Sequence, residues 1–120
     1  MKEILMCTID PMLLKTVSGI VRQEGFRIEA VDHAAFAVQK VFERTFAAVI
    51  IDSQGLGLPA DDAARMIAQE SRDIPIILIG GAVVDVAATV LDYPLDPAEL
   101  RQAIRMLVGT QTRERSVAGL

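Results

Sequence analysis

The sequence is poor in the residues that staple, ligate and catalyse: its 120 residues include one cysteine, one histidine, one tyrosine and no tryptophan. A single cysteine, Cys7, excludes an internal disulfide. Its place in an apolar run makes it a buried core residue, as suits a reducing compartment. His33, the lone histidine, falls near a helix start and reads as a solvated surface residue. No residue set resembles a nucleophile–base triad or a metal cage. Long apolar runs are also missing, since none reaches the roughly 20 residues that cross a bilayer. The opening Met1-Lys2-Glu3 runs straight into a strand-like stretch without a signal-peptide pattern, so no membrane association and a cytoplasmic location are expected. Cationic excess is absent too. The net charge of −4 gives no electrostatic footprint for direct nucleic-acid binding. The turn Gly55-Leu56-Gly57 lacks the lysine of a nucleotide-cradling loop.

What is present is a core. Hydrophobic residues make up 52% and charged residues 23% of the chain, which excludes disorder and suits one domain. Ile4 to Ile9 reads as a strand buried on both faces. Asp10-Pro11 is a helix start, with aspartate as cap and proline at the first helical position. Met12, Leu13, Val17, Ile20 and Val21 recur at helical spacing until Gly25. Phe26 to Val31 predicts a second strand, and His33 to Arg44 a second helix whose inner stripe is Val38, Val41 and Phe42. Phe46 to Ile51 is a third strand, ending at Asp52. A turn with Gly55, Gly57 and Pro59 leads to a helix over Asp61 to Glu70, where Asp61 and Asp62 favour the helix N-terminus electrostatically. Ile74 to Ile79 is a fourth strand.

The last third continues this alternation in shorter pieces. After Gly80-Gly81, the stretch Ala82 to Ala88 holds at most about two helical turns. Thr89 to Asp92 predicts a fifth strand. Asp96-Pro97-Ala98-Glu99 is a capped helix start, with Glu99 placed to reach back as in a capping box. Leu100, Ala103, Ile104 and Leu107 form that helix's buried face, and Gly109 closes it. Five strands alternating with helices predict a three-layer α/β sandwich: a five-stranded parallel sheet with helices on both faces. One domain over residues 1–110 is expected, with 111–120 as a tail or the start of a linker.

In such a sheet, chemistry gathers at the carboxyl ends of the strands. There the segments ILMCTIDP (Ile4–Pro11), AVIID (Ala48–Asp52), DIPIILIGG (Asp73–Gly81) and DYPLDPAEL (Asp92–Leu100) together resemble the receiver domain of bacterial response regulators. The similarity spans residues 2 to 109. It implies a flavodoxin-like (CheY-like) fold with a shortened fourth helix, because only thirteen positions separate Gly80 from Tyr93. That helix is expected to be a stub or an irregular loop. The resemblance also implies a phospho-acceptor role for Asp52, and a cis bond at Tyr93-Pro94 in place of the family's cis Lys-Pro.

The departures from the family pattern are as informative as the matches. Thr8 and Ile9 stand where the family's acidic pair holds magnesium, and Asp10, one position on, is most simply the helix cap. Gly80 replaces the hydroxyl residue that contacts the phosphoryl group, and Tyr93 replaces the lysine. Moving a phosphoryl group to a carboxylate crowds anionic oxygens, which a divalent ion and a cationic side chain must offset. Ile9 and Tyr93 supply neither. The sequence therefore reads as a non-enzymatic receiver-like signalling module of the pseudo-receiver type, binding a protein partner or an attached effector domain independently of phosphorylation. No cofactor or metal is expected. Magnesium enters only in the alternative, a working receiver that accepts phosphate on Asp52. Asp52 also has a plain role in capping the following turn, and Tyr93 one in packing its ring at the domain edge. A small flavodoxin-like ligand-binding domain or enzyme is a third reading, with no site to carry it. A homodimer is expected from surplus apolar residues: Met106 and Val108 off the last helix's stripe, and Val83, Val84 and Val86 on the short segment.

Overall fold

A computed structural model of the chain describes residues 2–55, 57–81 and 85–109. Five parallel strands, β1 (Glu3–Cys7), β2 (Arg27–Val31), β3 (Ala48–Asp52), β4 (Ile76–Ile79) and β5 (Thr89–Leu91), form one sheet in the order β2-β1-β3-β4-β5. This is the doubly wound arrangement with a topological switch between β1 and β3. Among the described residues four α-helices cover it: α1 (Pro11–Gln23), α2 (Ala34–Glu43), α3 (Ala60–Glu70) and α4 (Pro97–Ile104), the last running into a π-helical turn, Arg105–Gly109. None of the described helices is long and apolar enough to cross a membrane.

The strands lie between two apolar layers. Ile4, Met6, Ala48, Ile50, Ile77 and Ile79 point to one face, against Val17, Ile20 and Val21 of α1 and Leu100, Ala103 and Ile104 of α4. Leu5, Cys7, Val49, Ile51 and Leu78 point to the other, against Ala34, Ala37 and Val41 of α2 and Ala63, Ala64 and Ile67 of α3. The central strand β3 is buried along its whole length, which is why it reads as a continuous apolar run rather than an alternating one. Each large aliphatic side chain fully buried here contributes about 1.5–3 kcal/mol.

Local signals set the helix starts. Asp10 accepts hydrogen bonds from the amides of Met12 and Leu13, and Asp96 accepts one from Ala98, each ahead of a proline in the first turn. Asp96 caps by itself, without the reciprocal bond expected from Glu99. α2 starts at Ala34, not His33. His33 is its cap, half-buried, with Nδ1 accepting from the Ala35 amide and its ring lying over Gly57.

Of three expectations, two change and one holds in part. On α2 the buried stripe is Ala34, Ala37 and Val41, while Val38 is half-buried and Phe42 is 57% exposed. Residues 34, 37 and 41 share one helical face, whereas Phe42 lies about 100° around from Val41. Small alanines let α2 and α3 pack closely. Second, Asp85, Val86 and Ala87 form bends rather than a helical turn, so the irregular-loop expectation holds there; Ala82, Val83 and Val84 lie outside the described residues. Third, Val108 is buried, not surplus. The π turn rotates each residue by less than an α turn does. Val108 thereby returns over the core while Leu107 is only partly buried.

Candidate functional site at the carboxyl ends of the strands

β1, β3 and β4 deliver the predicted site residues to one end of the sheet, and Tyr93 follows β5. Asp52, the last residue of β3, is 3% exposed, and Thr8, just beyond β1, is 6% exposed. The Thr8 hydroxyl donates to Asp52 Oδ2 at 2.7 Å, and Asp52 Oδ1 accepts from the Gln54 amide at 3.1 Å. Thr8 Oγ1 in turn accepts from the Asp10 amide at 3.0 Å. A chain of hydrogen bonds therefore runs from the capped end of α1, through Thr8 and Asp52, to the turn after β3. The turn-capping role of Asp52 is realised, together with a bond to Thr8 that no local pattern announces.

The other positions take no part in this chain. Ile9 is 50% exposed and apolar. Asp10 faces solvent with its carboxylate on the α1 amides. Gly80 has φ +71°, and a Cβ built on it would overlap the Tyr93 ring. Glycine at 80 and the aromatic ring at 93 are thus two halves of one packing solution. The Tyr93-Pro94 peptide is cis, as expected. Burial, with Asp52 and Asp32 nearby, pushes the Cys7 thiol up to about 11, which keeps it protonated and unreactive as a nucleophile.

Magnesium favours octahedral oxygen coordination with one or two carboxylates and several waters. In this chain one buried carboxylate already holds two protein donors, the Ile9 side chain contributes no oxygen, and the Asp10 carboxylate is spent on its helix. The donor set does not fit a divalent ion, and among the described residues no group of three or more acidic, histidine or cysteine side chains could hold one. A groove of about 520 Å³ opens beside β2, lined in part by Thr8, Leu14, Val31, Asp32, Phe36 and Lys40, but Asp52 is not part of it.

The fold is the CheY-like form of the flavodoxin-like arrangement. No protein-family model and no curated protein matches the sequence. Solved structures do. The chain is similar to a CheY-like receiver domain from Methanospirillum hungatei, with a TM-score of 0.81, 18% identity, and 95% of this chain and 98% of that one covered. It is similar to the receiver domain of a sensor histidine kinase from Pseudomonas aeruginosa that has a magnesium ion coordinated in its active-site cleft (TM-score 0.78, 22% identity, 90% and 98% covered). The N-terminal domain of a response regulator/sensory box/GGDEF three-domain protein from Carboxydothermus hydrogenoformans is similar at TM-score 0.78 and 23% identity, with 97% and 99% covered.

Proposed function

We propose that this chain is a receiver-like signalling domain of a two-component response regulator that works as a protein-interaction module without aspartyl phosphorylation and without catalysis of its own. The observation that carries this reading is the state of Asp52. Its carboxylate is buried and bound by Thr8 and Gln54, and among the described residues no cationic side chain is hydrogen-bonded or ion-paired to it. An incoming phosphoryl group would meet a negative charge with nothing to offset it. The receiver-type fold supports the signalling half of the reading. The sensor-kinase and GGDEF neighbours, each a domain of a larger protein, support a partner that is a protein or an attached effector. A cytoplasmic location and a homodimeric state complete the proposal.

Intact-mass measurement after incubation with acetyl phosphate and magnesium tests it. The expected result is an unmodified chain. Stoichiometric, base-labile phosphate that disappears in Asp52→Ala would establish the alternative, a working receiver with Asp52 as acceptor.

A further inference from the structure

We propose that Thr8 is a latch: its hydroxyl takes the bracing position of a metal ion and fastens the loop after β1 to the turn after β3, keeping the Asp52 pocket shut. The inference rests on the function proposed above and adds to it the way the pocket is held.

Thr8 and Asp52 are 44 positions apart in sequence and within 2.7 Å in space, both almost fully buried. A carboxylate removed from water needs its lone pairs satisfied. Here one donor comes from the adjoining turn, the Gln54 amide, and the other from a different strand end, the Thr8 hydroxyl. That hydroxyl also receives the amide proton of Asp10, whose side chain caps α1. One oxygen atom thus joins three pieces of chain: the start of α1, the end of β1 and the end of β3. Bonds to a charged acceptor are stronger than neutral ones and polarise their neighbours in a dry site, so the three pieces are held as one unit.

A divalent ion would have to displace this hydroxyl to reach Asp52 Oδ2. It would gain in return neither a second carboxylate nor an open hydrated face, because Ile9 is apolar. At the end of β4 the Tyr93 ring occupies the space above Gly80, where a side chain would otherwise stand. A residue at position 8 that cannot donate would release the loop and leave Asp52 with one partner. Serine would keep the latch.

The test uses the full chain, isotope-labelled for NMR, with manganese(II) as a paramagnetic probe for the wild type and amide hydrogen exchange for wild type, Thr8→Ser and Thr8→Val. In the wild type, manganese is expected to leave the resonances around Asp52 unbroadened. The Asp10 and Gln54 amides should exchange about tenfold faster or more in Thr8→Val, the scale of losing a bond to a charged group, and near the wild-type rate in Thr8→Ser. Manganese broadening centred on Asp52, or equal exchange in Thr8→Val and wild type, would overturn the latch. Those results are separate from the phosphate assay. A chain that refuses phosphate but shows no latch loses only this inference, and one that takes phosphate on Asp52 loses the functional reading itself. Should Thr8→Val not fold, the wild-type manganese experiment and Thr8→Ser still decide.

Discussion

Gly80 and Tyr93 show how two departures from a pattern can be a single event. Position 80 has φ +71° and carries no side chain, and the Tyr93 ring lies where a Cβ would stand. Restoring a hydroxyl residue at 80 therefore meets two obstacles, a left-handed backbone and a filled space. Gly80→Ser is expected to cost about 2–4 kcal/mol, combining the left-handed penalty with overpacking. In a Tyr93→Ala background the overlap vanishes and the backbone penalty remains, so the second Gly80→Ser should cost about 1–2 kcal/mol. Urea unfolding of the four proteins checks this; purely additive losses would show that the ring and the glycine are not coupled.

At the scale of elements, Glu24 fastens the end of α1 to α4 and the π turn. Its carboxylate accepts from Arg105 Nε at 2.7 Å and from Arg101 at 3.0 Å, and Arg101 also reaches Gln23. The hydrogen bond from Arg105, ahead of that from Arg101, holds the Glu24 carboxyl below its ordinary 4.5, against the opposing effect of burial. A depressed folded-state value means that the unfolded chain binds the proton more readily. The stabilisation is then present above about 4.5 and is lost as pH falls through the lower folded value. Glu24→Gln should lower stability by about 1 kcal/mol at neutral pH and flatten the fall of melting temperature with acid below pH 4.5. An acid limb unchanged in Glu24→Gln would show that the pair does not hold these helices together.

At the scale of the whole molecule, large apolar side chains of the last third of the chain stand exposed. Val90 on the edge strand β5 is 37% exposed, Tyr93 38% and Met106 67%. Exposed apolar groups of this kind mark interaction sites, and a two-fold dimer is the commonest way for identical chains to cover them. The exposed set differs from the one expected from sequence, because Val108 is buried and Val86 packs half-buried against the α2–α3 layer. Sedimentation at micromolar concentration should give a dimer mass that Met106→Glu shifts toward monomer. A wild-type monomer mass, unmoved by that substitution, would remove the homodimer from the proposal.

The sequence by itself determined the five-stranded α/β plan, the single core and the starts of α1 and α4. These signals are local: apolar runs that leave no face for water, and aspartates whose carboxylates reach amides two or three residues on. It also marked Thr8, Ile9, Asp10, Asp52, Gly80 and Tyr93 as one group, because strand ends in a parallel sheet converge. Element ends and faces were less legible. The alanines of α2 are too weakly apolar to outweigh Phe42 in a periodicity, and a π turn leaves no mark in the pattern that precedes it. Only the tertiary structure decided that Thr8 bonds Asp52 and that the Tyr93 ring fills the space left by Gly80. Both contacts depend on strand pairing, which brings together atoms that no local rule relates: β1 beside β3 sets the first, and β4 beside β5 the second.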